Sequence, residues 1–132
     1  MSSALYPQAK TSEDGSVSVA NTNRDGTTGT YTTLATGTAS GNKEIARVRW
    51  VADGTTTTGF LRLFVHDGTT AVLVAEIPVP PNTPRTTFPQ VPVVGGVWQP
   101  PTPIPLPSTS HTLKASTEVG ETFRLLAEGV TY

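Results

Sequence analysis

Thr58–Pro78 reads TGFLRLFVHDGTTAVLVAEIP, and in it two apolar arms, Phe60–Val65 and Ala71–Ile77, flank Asp67-Gly68. Asp-Gly between β-prone runs is a strong hairpin signal, because a type I′ turn needs φ > 0 at both central residues. Pairing His66 with Thr69 sets Phe64 opposite Ala71, Leu63 opposite Val72 and Leu61 opposite Val74. One face then carries Leu61, Leu63, Val65, Thr70, Val72 and Val74, a core face. The other carries Phe60, Arg62, Phe64, His66, Ala71, Leu73, Ala75 and Ile77 and is only half polar. A sheet with one wet face alternates more cleanly than this, so the second face is expected to be covered as well. The cover is either another segment or another copy of the chain.

Working outward, the remaining chain reads as strands and turns. Val17 and Val19 alternate with Ser in Gly15–Asn21; Thr30–Thr36 is rich in Thr; Lys43–Ala52 places Ala46, Val48, Trp50 and Ala52 on one face. β-branched residues and Trp50, followed by Asp53-Gly54, argue against a helix over 43–52. Val93–Trp98 is a short strand, and Thr109–Thr117 with Glu121–Thr131 is predicted to form a second hairpin about Glu118–Gly120. Eight strands with a Pro-rich crossover at 78–92 predict an all-β chain: an antiparallel β-sandwich, jelly-roll-like, with Greek-key links. Residues 1–14 are expected to form an extended N-terminal arm anchored by Leu5 and Tyr6, and 15–132 the sandwich domain. Gln99–Pro107 reads as a polyproline-like connector.

The chain has 132 residues, 14% charged, with a formal net charge of −1 and no cysteine. No field draws it to nucleic acid or an anionic membrane, and neither a disulfide framework nor a thiolate metal site is possible. No run approaches the length of a membrane span. Asp-Gly-Thr-Thr recurs at 25–28, 53–56 and 67–70; separate turns of this kind lack the ligand spacing of a calcium loop. His66 and His111 have no nucleophile-and-orienter context, so no catalytic, cofactor-binding or metal residue is expected and the chain is not expected to be an enzyme. Trp98, between Gly95-Gly96 and Pro100-Pro101, is either a lid over an open sandwich end or an exposed platform.

The phrases RDGTTGTYTTLATGTASGNKEIARVRWVADGTTTTGFLRLFVHDGT and LKAST…ETFRLLAEG resemble a group of short proteins encoded among the virion genes of tailed bacteriophages and prophages. The resemblance runs over Arg24–Pro80 and Leu113–Tyr132, and it implies capsid decoration (cement) by a β-sandwich that is often trimeric. It therefore implies a virion location, a homotrimer, and the major capsid protein or another virion protein as partner. Leu5, Tyr6, Phe60, Phe64, Leu73, Ile77 and Trp98 are the expected oligomer or capsid contacts. The alternatives are a carbohydrate- or receptor-binding module of a fibre or spike, stacking sugars on Trp98, and a small tail or connector subunit.

Overall fold

The computed structural model describes residues 9–39 and 43–131. In chain order the strands are β1 (Ala9–Val17), β2 (Thr32–Thr36), β3 (Lys43–Ala52), β4 (Gly59–His66) and β5 (Ala71–Val79), then β6 (Gly95–Trp98), β7 (Ile104–Leu106), β8 (Thr112–Thr117) and β9 (Phe123–Thr131). They make two antiparallel sheets, one ordered β1-β9-β3-β6 with β7 also on β3, the other β2-β8-β4-β5. The chain is an all-β sandwich, as the alternation predicts.

The Asp67–Thr70 turn is the tip of one long hairpin. Outward from it, β4 pairs with β5, β3 with β6 and β7, β2 with β8, and β1 with β9. The ribbon then rolls up, joining β9 to β3 and β8 to β4. Between the sheets lie Val17, Leu34, Val48, Leu61, Leu63, Leu113, Phe123 and Leu125, all buried. Each fully buried side chain of this size contributes about 1.5–3 kcal/mol. Trp50 belongs to this core, edge-on to Phe123 with ring centroids 6.1 Å apart.

Several expectations change. Residues 9–14 are not arm: β1 begins at Ala9 and pairs with β9 along its whole length. Leu5 and Tyr6 lie outside the described residues. The central hairpin is shifted: His66 pairs with Ala71, Phe64 with Leu73, Leu63 with Ala75 and Leu61 with Ile77, with a bulge between Leu63 and Phe64. Turn chemistry is the reason. Asp67 N donates to Thr70 O at 3.1 Å, closing a four-residue loop, and Gly68 alone takes positive φ, at 98°. That is not a type I′ turn. Val72 pairs with Val65 near the tip of the edge strand β5 and is 57% exposed. A second bulge, between Ile45 and Arg47, puts Ile45 rather than Ala46 on the core side. β8 and β9 form no hairpin, for they belong to opposite sheets and residues 118–122 arch between them. Ile104 and Leu106 turn part of the polyproline-like connector into β7 by packing into the core while Pro105, with no donor to lose, points out.

Candidate interaction surface

The second face of the central hairpin is covered by the chain itself. After β1, the segment 18–31 crosses the outer side of the β2-β8-β4-β5 sheet, held at its start by Asn21 N donating to Thr117 O at 2.8 Å. Asn21 is buried and cinches the loop: its Nδ2 donates to Thr28 O and Thr30 O, both at 3.1 Å, and its Oδ1 accepts from Asn23 N at 3.0 Å. Asp25 shapes the far end, its carboxylate accepting the backbone N–H groups of Thr27 (3.0 Å) and Thr28 (2.9 Å). Hydrogen bonds from the Thr28 hydroxyl and from these amides hold the Asp25 carboxyl well below the usual carboxylate range. Gly26 then lies against Phe64 and Ala71, and Tyr31 meets the Phe64 ring edge-on at 5.2 Å.

Beneath this flap is an ionic cluster. Arg62 is 1% exposed; its Nε donates to Glu76 at 2.7 Å and its Nη2 to Glu118 at 2.6 Å, while Arg24 from the flap also reaches Glu76 at 2.9 Å. The guanidinium stands 5.6 Å from the Phe60 ring centroid. Burial alone would push Arg62 down, and the bonds to Glu76 and Glu118 reverse that, holding it above its ordinary value. The Arg62 hydrogen bond lowers Glu76 in turn.

This arrangement covers some of the residues expected to make contacts. Phe64 is fully buried under the flap and Ile77 is buried in the core, so neither presents a surface in the single chain. Phe60 is half-buried beside Arg62, and Leu73, paired with Phe64, is half-buried. Trp98 packs against the core rather than standing out as a platform.

The bare apolar surface lies elsewhere, in residues 80–98. Residues 85–91 form a closed loop: Arg85 N donates to Val91 O at 2.8 Å and Val91 N to Arg85 O at 3.0 Å. Asn82 ties its base, Nδ2 donating to Pro92 O at 3.0 Å and its backbone exchanging bonds with Thr56. At the tip, before a cis Phe88–Pro89 peptide, Phe88 is 93% exposed. Of the six large apolar side chains in water among the described residues, four are Phe88, Val93, Val97 and Val51, the last paired with Gly95 of β6. Beside the loop runs an open groove of about 340 Å³ walled by Pro80, Pro81, Asn82, Val91, Pro92 and Val93. No strand alternation runs through 80–92, so the pattern offered no face to assign. An aromatic residue without a strand partner, ringed by prolines, was the available signal.

Other polar side chains pair with one another or with the backbone. The outer side of the β1-β9-β3-β6 sheet carries a solvated ladder in which Arg47 and Arg49 both reach Glu128, and their hydrogen bonds hold the Glu128 carboxyl low. Asp67 repeats the Asp25 turn, accepting Thr69 N at 2.8 Å and Thr70 N at 2.6 Å; Asp53 instead faces Arg124 at 3.3 Å. Ser108 Oγ lies 2.7 Å from His111 Nδ1, and His111 N donates to Ser108 O, so the pair closes a turn. Among the described residues no group of three or more His, Asp or Glu is placed to hold a metal ion. Nor, among them, is any helix long and apolar enough to cross a membrane.

No family model matches the chain, and no curated protein does. Two solved structures, both of a pentameric capsid protein isolated from metagenomic phage sequences, align with 91% of it at 18% identity and a TM-score of 0.39. The chain spans 58% and 60% of their lengths. A likeness this loose fixes neither family nor role.

Proposed function

We propose that this chain is a structural protein of a tailed-phage virion, a capsid decoration protein that binds the head surface as a homotrimer and stabilises it. One observation carries the reading: a hydrogen-bonded loop holds Phe88 almost wholly in water beside a groove walled mainly by proline and valine. Contiguous bare apolar surface marks an interaction site, and a preorganised aromatic anchor loses little freedom when it docks. The scaffold suits the task. We read the strand order β1-β9-β3-β6 over β2-β8-β4-β5, with the short β7 set aside, as the double-sheet wrapping of a jelly roll. That architecture serves viral capsid and lectin domains alike, so it supports the role by analogy only. The sequence resemblance to virion proteins points the same way. A sugar-stacking role has less support, because Trp98 is half-buried with its side chain packed against the core.

The test is binding to heads that lack the protein. Purified chain is expected to co-sediment with such heads and raise the temperature at which they release DNA. Heads that neither bind it nor gain heat resistance would exclude decoration.

A further inference from the structure

Knob and socket sit on one short segment. Phe88 projects at the tip of the 85–91 loop, and the groove walled by Pro80, Pro81, Asn82, Val91, Pro92 and Val93 begins three residues away. The groove's volume of about 340 Å³ exceeds the roughly 150 Å³ that encloses a benzene ring. Within one chain the two do not meet: the Arg85–Val91 backbone bonds close the loop, and Phe88 at its tip is 93% exposed.

We infer that the Phe88 loop of one copy seats in the 80–93 groove of a second copy, and that this is the contact by which the protein self-associates. The inference rests on the reading above only for the expectation of an oligomer. Chemistry favours a second copy over another occupant. The groove walls are mainly proline and valine, with Asn82 among them and no charge to select an ionic ligand, and the segment 80–98 carries a single charged residue, Arg85. An aromatic ring is the complement such a site takes, and the chain presents one bare ring at the same corner. A ring entering the next copy's groove is a heterologous contact, which leaves no open end where the rotation between copies closes as a three-fold ring, the homotrimer of the reading above. Val93 and Val97, 41% and 52% exposed, extend the buried area on either side. The loop's prolines and cross-bonds keep its shape before association.

Sedimentation velocity on the free protein tests this without any virion. Wild type is expected to associate reversibly as concentration rises to about 100 µM, and Phe88→Ser and Val93→Asp each to weaken association by about tenfold or more. Both variants are expected to keep the wild-type circular dichroism and melting temperature. Mixing them restores a complex, since one supplies the ring and the other the groove. A wild type that stays monomeric, a Phe88→Ser variant that associates as wild type does, or a mixture that fails to pair would overturn the inference. Loss of head binding by Phe88→Ser with self-association intact also overturns it, assigning the ring to the capsid instead. Failure of the decoration assay alone would leave the self-association result standing.

Discussion

The 18–31 flap and the 80–98 corner, which is irregular up to β6, are polar in part and laid over apolar residues, yet they do opposite things. The flap closes a surface: it buries Phe64 completely and shuts Arg62 in with Glu76 and Glu118. The corner opens one, lifting Phe88 away from its own core. What separates them is where the hydrogen bonds go. Asn21 and Asp25 bind the flap to itself and to β8, whereas Asn82 and the Arg85–Val91 pair bind the corner into a projecting loop. A doubly apolar hairpin therefore does not by itself demand a partner copy.

The largest contrast is between two phenylalanines. Phe64→Asp buries an unpaired carboxylate beneath the flap and is expected to lower stability by about 4 kcal/mol or more, enough to unfold a small domain. Phe88→Asp changes stability by no more than about 0.5 kcal/mol, because its side chain is already in water. Chemical denaturation reads both, and similar losses would dissolve the distinction between covered and open faces. Arg62→Ala comes next, at about 3 kcal/mol: it strips the buried cation from Glu118, leaves Glu76 to Arg24 alone, and removes the packing from Phe60. Arg62→Met keeps the stem and is expected to be the milder change in thermal melts. Gly29→Ala costs about 1–2 kcal/mol, since φ there is 94° and a Cβ would come within 2.6 Å of the Asn21 side-chain nitrogen.

Acid sharpens the comparison with a smaller effect. Asp25 and Glu76 have folded pKa values held below their ordinary ones, Asp25 by Thr28 and Glu76 by Arg62. Their contribution is full above the unfolded values of about 3.9 and about 4.3 and is lost as pH falls through the folded ones. Residues 80–98 contain no acid. In an NMR titration the Asn21 side-chain amide and Tyr31 ring signals are expected to drift toward random-coil positions before the Arg85 and Val91 amides move. Simultaneous loss at both regions would mean the flap has no acid sensitivity of its own.

Local pattern made the layers legible and long-range contact hid the surface. Alternation in Lys43–Ala52 and Phe123–Thr131 identified strands, and Asp67-Gly68 located the tip on which the whole ribbon folds. Register failed there because Asp67 kept negative φ and used its carboxylate on Thr69 and Thr70, a choice that the dipeptide does not disclose. The 118–122 link looked like a hairpin turn because its length suits either a turn or an arch. Phe64 looked available because its cover, Gly26 and Tyr31, lies more than thirty residues away in the chain. Phe88 was passed over because it sits in a stretch with no period at all.

Hydroxyl-radical footprinting of the free protein at low concentration, read at phenylalanine by mass spectrometry, reaches the central claim in one experiment. Phe88 is expected to oxidise rapidly while Phe64 stays protected, with Phe88 gaining protection as the protein associates. Oxidation of Phe64 as fast as Phe88, or Phe88 protected from the outset in the monomer, would contradict the assignment of one face to the fold and the other to a partner.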